Sequence, residues 1–257
     1  MRATITILLL AQLLAPQQQS PNNGSTHREP SSPTGRTVLH YGVEWKLIRA
    51  GIARASWTPA PQGGAWQADL HLESTGVVSK LYRVYDDYTA LMNEELCVSS
   101  AVLKAEEGKR RRETHITFDR QAGKAFYHER DLMKNTTVLS KEIEIPPCVH
   151  EVLGGVMKLR SLNLQPGQSA VIPLSDGKKF ARVKIEAQER EEVKTPLGTF
   201  PSIRHEVHMF NGVVYPRRAR CFIWISDDER RLPVQVRLRM QFLIGAVTLQ
   251  LEKEERL

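Results

Sequence analysis

Cysteine and aromatic residues are scarce, with 3 cysteines and 7% aromatics, and one run near the start is the sole sustained apolar stretch. Three cysteines rule out a small disulfide-framework domain, and 16 glycines rule out a collagen-like chain. Catalytic signatures are also missing. There is no G-x-S-x-G, no H-E-x-x-H, no phosphate-binding loop and no dinucleotide fingerprint. No cofactor and no metal set is expected. What is present is ordinary globular material: 257 residues, 41% apolar and 25% charged. Such a chain buries enough surface to offset its ordering entropy, so disorder over the whole length is excluded. The length fits one large all-β domain or at most two small ones.

Lys and Arg number 36 against 29 Asp and Glu, a formal charge of +7. A basic surface favours polyanions such as nucleic acid, acidic glycan or anionic lipid headgroups, although the same charge also serves solubility alone.

Met1-Arg2 is followed by an apolar run from Ile5 to Leu14, broken by Thr6, Ala11 and Gln12, and then by the small residue Ala15. The run is too short for a bilayer, which needs about 20 residues. It predicts a secretory signal peptide over residues 1–15 and an exported, periplasmic or secreted protein. Pro16 after Ala15 makes a poor cleavage site, and no neighbouring cysteine suggests a lipid anchor. Residues 16–36 contain no large apolar side chain and read as a disordered Pro, Gln and Ser-rich spacer.

From Thr37 the dominant period is two. Trp66, Ala68, Leu70 and Leu72 alternate with polar residues, as do Val183 and Ile185, Val234 to Leu238, and Val247 to Leu251. This is the pattern of strands with one buried and one wet face. Turn signals separate the runs at Pro61–Gly64, Gln121–Gly123, Pro166–Gly167, Ser175–Gly177 and Asn211–Gly212. About a dozen sequential strands predict a strongly curved antiparallel sheet, a barrel or half-barrel, over a single domain 37–257. After Pro146-Pro147, Val149, Val152, Leu153, Val156 and Met157 form a helical stripe, weakened by Gly154-Gly155. That short helix is expected to pack on or in the sheet. Asp87 to Glu95 reads as a second helix or an irregular segment.

His205 and His208 stand three apart, so on a strand they point to opposite faces and do not share a metal. Asp86-Asp87 and Asp227-Asp228 are read as turn residues bonding their own backbone, rather than a cation site or acid/base pair. Two basic clusters stand out, Lys109 to Arg112 and Arg217-Arg218-Ala219-Arg220. With Arg230, Arg231, Arg237 and Arg239 they are candidates for a positive wall that meets phospholipid headgroups or acidic glycan. The competing reading is cross-strand pairing with glutamates. Nucleic acid is not expected, because aromatics are not interleaved with the clusters and export argues against it. Cys221-Phe222-Ile223-Trp224-Ile225 is apolar on both faces, so it is a core strand or faces a cavity. If a cavity exists, Phe222 and Trp224 line it, beside Arg217, Arg218, Arg220, Arg237 and Arg239.

Export places close thiols in an oxidising compartment. Cys97 and Cys148 both fall at element ends, where the backbone adapts to bridge geometry, and are expected to form a disulfide. Cys221, inside an apolar strand, is left over as a small buried side chain.

Several strings accumulate in order. They are Tyr41-Gly42-Val43-Glu44-Trp45, Leu47 to Ala55, Glu107 to Thr114, Thr117-Phe118-Asp119, Thr195-Pro196-Leu197-Gly198-Thr199-Phe200, and Trp224 to Asp228 with Arg231-Leu232-Pro233-Val234. Together they resemble the DUF3108 family, bacterial exported proteins of unknown function, over most of residues 37–257. The resemblance implies a signal peptide and a mainly antiparallel β domain, and brings no catalytic residues. Three functions compete. The first is a non-catalytic exported protein of the cell envelope that binds an apolar or amphipathic ligand or an envelope component, with peripheral membrane contact. The second is a hydrolase of envelope glycan or lipid. The third is a purely structural interaction protein.

Overall fold

The computed structural model describes residues 35–60, 65–240 and 245–257. The expected signal peptide at 1–15, nearly all of the 16–36 spacer and the Pro61–Gly64 turn lie outside them. The described residues form one compact unit. In chain order the elements are β1 (Thr37–Trp45), β2 (Ile48–Pro59), β3 (Ala65–Ser74), α1 (Gly76–Leu81), β4 (Val84–Asn93), β5 (Val98–Glu107), β6 (Arg110–Asp119), β7 (Lys124–Asp131) and β8 (Thr136–Glu144). Then follow α2 (Val152–Leu162), β9 (Ser169–Ser175), β10 (Phe180–Thr195), β11 (Gly198–Val207), β12 (Ala219–Ser226), β13 (Pro233–Met240) and β14 (Ala246–Arg256).

All fourteen strands belong to one sheet in the order β8-β7-β6-β5-β4-β3-β2-β1-β14-β13-β12-β11-β10-β9. Two antiparallel meanders, β1 to β8 and β9 to β14, are joined where β1 pairs with β14, Tyr41 opposite Leu251. The turn chemistry matches the sequence signals. Gly177 and Gly212 sit at positive φ in their turns, and Gly198 after Pro196 has φ 147°.

The sheet curls strongly. In a flat sheet β6 and β10 would lie roughly 48 Å apart, ten strand spacings along the order. Instead the β9–β10 turn touches β6 and β7. A Cβ on Gly177 would come within 2.6 Å of Ile116 Cγ2, and Lys178 Nζ lies 5.0 Å from the centroid of the Tyr127 ring. The edges β8 and β9 do not pair with each other, so the sheet is curved without closing. The seam is bridged by the crossover that follows β8. Val98 N donates to Val149 O at 2.9 Å, and His150 N donates to Pro173 O at 2.9 Å. One stretch of the crossover thus bonds both to β5 and to β9.

One apolar cluster includes Leu39, Tyr41, Trp57, Met92 and Val98 of the first meander and extends to Phe200, Phe222, Trp224 and Leu251 of the second. A second lies under α2, where Leu159 meets Leu174, Ile185, Ile203 and Ile223. The helix begins at Val152, later than the Val149 stripe suggests, because Glu151 caps it. Its carboxylate accepts from Leu153 N at 2.7 Å and from Gly154 N. Gly154 and Gly155 are the contact surface of this helix. A Cβ on Gly154 would sit 2.7 Å from Met92 Sδ, and one on Gly155 3.0 Å from Leu174 Cδ1. About 10 Å3 of free space remains between α2 and β9 to β12, at the threshold for one water.

Two details differ from the sequence reading. Asp87 to Glu95 is not helical or irregular up to Asn93: it forms most of β4. The alternation is hidden there because apolar Leu91 faces solvent while Asp86 is half-buried and accepts from Glu106 N at 3.0 Å. Burial pushes the Asp86 carboxyl up to about 6. Asp86 and Asp87 are therefore strand residues, not turn residues, and Asp87 bonds His71 at 2.7 Å. The six-residue α1 is too short to leave a periodic signal.

Candidate functional site

Residues opposite one another in an antiparallel pair point to the same face. On β12, Trp224 stands opposite Arg204 of β11 and Phe222 opposite Glu206. On the other side Phe222 meets Arg237 of β13, and Arg220 meets Arg239. The alternating partners Cys221, Ile223 and Ile225 enter the cluster under α2. The strand is apolar on both faces because both are covered, one by the helix and the other by arginines.

Three guanidiniums lie over Phe222, from Arg220, Arg204 and Arg239, at 4.8, 5.6 and 5.6 Å from the ring centroid. Arg237 lies 5.4 Å from the Trp224 ring. Guanidiniums favour aromatic faces through the ring quadrupole. Between them Arg204, Arg220, Phe222, Trp224, Arg237 and Arg239 enclose a depression of about 90 Å3.

The four cations differ in their pairing. Arg220 holds Glu206 bidentately, at 2.8 and 2.7 Å. That hydrogen bonding keeps the Glu206 carboxyl below its ordinary range. Arg204 meets Glu189 at 2.5 Å and donates to Gln188 Oε1 at 2.7 Å. Trp224 Nε1 donates to Glu191 Oε1 at 2.6 Å. Among the described residues Arg237 has Thr248 Oγ1 at 3.3 Å and the Trp224 ring, and Arg239 has the Phe222 ring. Neither meets a carboxylate among the described residues.

Five of the seven residues singled out in the sequence, Arg220, Phe222, Trp224, Arg237 and Arg239, thus line one pocket. Arg217 and Arg218 do not. They are exposed on the loop between β11 and β12. Arg204 was missed. Its place between Ile203 and His205 marks it as wet-facing, but the register that sets it beside Trp224 is not local. The wider positive wall is divided. Arg111 pairs with Glu106 at 3.2 Å and Arg112 with Glu129 at 2.5 Å. Arg230 pairs with Asp228 at 2.9 Å, in the β12–β13 turn at the far end of the strands. Asp228 there accepts from Ser226 and from Arg231 N, ordinary turn chemistry.

His205 and His208 point apart. His205 is fully buried, and His208 bonds Glu186 at 2.5 Å. Glu186, Glu206 and His208 present donor atoms within 4.8 Å of one another. The carboxylates are already neutralised, Glu206 by Arg220 and Glu186 by Lys184 at 2.6 Å. Hydrogen bonds from these cations hold both carboxyls low, which suits ion pairing rather than proton donation.

The cysteines pair as expected. Cys97 and Cys148 form a disulfide with Cα atoms 5.0 Å apart, and Cys221 is a buried free thiol. The bridge joins the β4–β5 turn to the crossover and so fastens the seam.

The sequence matches the DUF3108 family, described as a protein of unknown function, over residues 40–252. The chain belongs to the DUF3108 family. The DUF3108 domain also resembles in fold a β-barrel-like protein of the domain of unknown function DUF1849 from Brucella abortus. The two are 7% identical, with 87% of this chain and 98% of that one covered and a TM-score of 0.57. A candidate exported protein with a YmcC-like fold from Bacteroides fragilis is 11% identical, covers 85% and 95%, and scores 0.36. No curated protein matches this DUF3108 sequence.

Proposed function

We propose that this DUF3108 protein is a non-catalytic, exported component of the cell envelope that binds an acidic group of an amphipathic or glycan partner in the arginine-rimmed pocket. One observation carries the reading. Arg237 and Arg239 stand over an aromatic floor with no carboxylate among the described residues to neutralise them, while their neighbours Arg204 and Arg220 are paired. Paired arginines are fixed in place, and the unpaired ones are left to meet an incoming anion. The pocket volume of about 90 Å3 suits a phosphate or carboxylate headgroup rather than an acyl chain. Export is supported by the disulfide, since such bonds persist in oxidising compartments. A hydrolytic role finds less support, because the carboxylates nearest the pocket are held by cations and hydrogen-bond donors.

The test is titration with dodecyl phosphate, followed by tryptophan emission, against dodecyl maltoside as the neutral control. Saturable binding of the phosphate alone is expected, weakened by at least about tenfold in Arg237→Ala/Arg239→Ala. Equal binding of both amphiphiles, or binding unchanged in the double variant, would mean that the pocket is not the site.

A further inference from the structure

The turns that follow β1, β3, β5 and β11 lie at one end of the strands, because every neighbouring pair is antiparallel. They also touch in sequence around that end. Gly245, after β13, approaches the Lys46 side chain. Helix α1, between β3 and β4, lies against β2, whose first residue Ile48 ends the β1–β2 turn. Gly108 N, between β5 and β6, donates to Arg83 O at 2.7 Å. The β11–β12 loop joins the series where Ala219 pairs with Met240. These turns form a continuous rim.

The rim is unusual in what it exposes. Leu47 is 95% exposed, Leu81 76% and Val77 67%, all at tips of the rim. Full exposure of large aliphatic side chains at several adjacent tips forgoes burial that the fold could have supplied. Around them stand Lys46, Lys80, Lys109, Arg110, Arg217 and Arg218, all exposed. None of the six meets a carboxylate among the described residues. At the opposite end of the strands the charges are paired instead, Asp227 with Arg190 at 2.5 Å and Asp228 with Arg230 at 2.9 Å, beside the exposed Glu94-Glu95 of the β4–β5 turn.

We infer that this rim docks on an anionic lipid bilayer, with Leu47, Val77 and Leu81 entering the headgroup region and the six cations meeting lipid phosphates. Apolar tips ringed by unpaired cations match both layers of such a surface, the apolar boundary and the negative headgroups above it. An acidic protein partner would satisfy the cations but would not account for aliphatic tips on separate turns. The inference is independent of the pocket. The two basic clusters read from the sequence, Lys109-Arg110 and Arg217-Arg218, both contribute to it, although no local sequence signal brings them to one rim.

Co-sedimentation with vesicles of phosphatidylethanolamine and phosphatidylglycerol, against vesicles of phosphatidylcholine alone, tests the inference. Binding to the anionic vesicles is expected, falling at high salt. Leu47→Asp/Leu81→Asp and Lys80→Glu/Lys109→Glu should each weaken it at least about tenfold. These side chains are exposed, so both variants should keep the parent's melting temperature. The two rim variants should still bind dodecyl phosphate as the parent does, since none of their residues lines the pocket, which separates failure of this inference from failure of the pocket reading. Hydrogen exchange on the unaltered protein gives a second readout. Vesicles should protect residues 45–49, 76–83 and 107–111. No binding to anionic vesicles, binding that both rim variants leave unchanged, or protection confined to the Glu94-Glu95 end would overturn it.

Discussion

Trp224 donates its indole N–H to Glu191 Oε1 at 2.6 Å, and the same oxygen lies 3.8 Å from Arg204 Nη1. One carboxylate of β10 thus holds both the aromatic floor of the pocket and an arginine of its wall. Trp224 is 4% exposed, so loss of this acceptor strands a buried donor. Glu191→Ala should destabilise the protein by about 2 kcal/mol in urea unfolding. Glu192→Ala, at the exposed neighbouring position, should be nearly neutral. Equal effects from the two variants would contradict this role.

The disulfide closes a loop of 51 residues and pins the crossover to β5. On the chain-entropy model its removal costs about 4 kcal/mol. Cys97→Ser/Cys148→Ser should lower the melting temperature accordingly. The loss should be local as well as global, with hydrogen exchange rising first in residues 145–151 and 169–175, on the two sides of the seam. Exchange rising instead in β12 and β13 would place the weak point elsewhere.

His205 is 1% exposed, and neither ring nitrogen has a hydrogen-bond partner of good geometry. Burial pushes its pKa down to about 4; nearby backbone carbonyls only partly offset this, and Arg231 adds to the lowering. The unfolded chain, with an ordinary histidine near 6.5, therefore binds more protons than the native state between these values. Stability from the neutral ring is fully present above about pH 6.5 and is lost as pH falls towards 4, about 3 kcal/mol in all. His205→Leu should flatten that part of the profile. The difference between parent and variant isolates His205, because Glu151 acts in the opposite sense. Burial raises the Glu151 carboxyl to about 7, so its contribution declines as pH rises from 4.5 to 7.

Alanine normally improves a helix by about 1 kcal/mol over glycine. At Gly154 the sign should reverse. The added methyl would meet Met92 Sδ at 2.7 Å, Glu151 Oε1 at 3.1 Å and Leu96 O at 3.3 Å, and Met92 is itself buried. Overpacking of this kind costs about 1–3 kcal/mol. Gly154→Ala should lower the unfolding midpoint in urea. An unchanged or higher midpoint would show that α2 has room to lift from the sheet.

The strands were legible in the sequence because side chains alternate with a period of two, so that Trp66, Ala68, Leu70 and Leu72 all turn towards one apolar cluster. Turns were legible where glycine supplies a positive φ, as at Gly177 and Gly198. The cysteine pair was legible because two thiols lay at element ends and the third inside an apolar strand. β4 was not, since Asp86 faces inward and Leu91 outward. Register is the part no local pattern contains. It sets Arg204 beside Trp224 and Arg237 beside Phe222, and it leaves Arg217 and Arg218 outside the pocket. The function of Gly154 and Gly155 was likewise decided by packing, because helix propensity counts only a cost that close approach to Met92 and Leu174 explains. Alternation and turn chemistry act within a few residues and can be read along the chain. Pairing, curvature and charge neutralisation act between residues far apart in sequence, and they exist only once the sheet has curled.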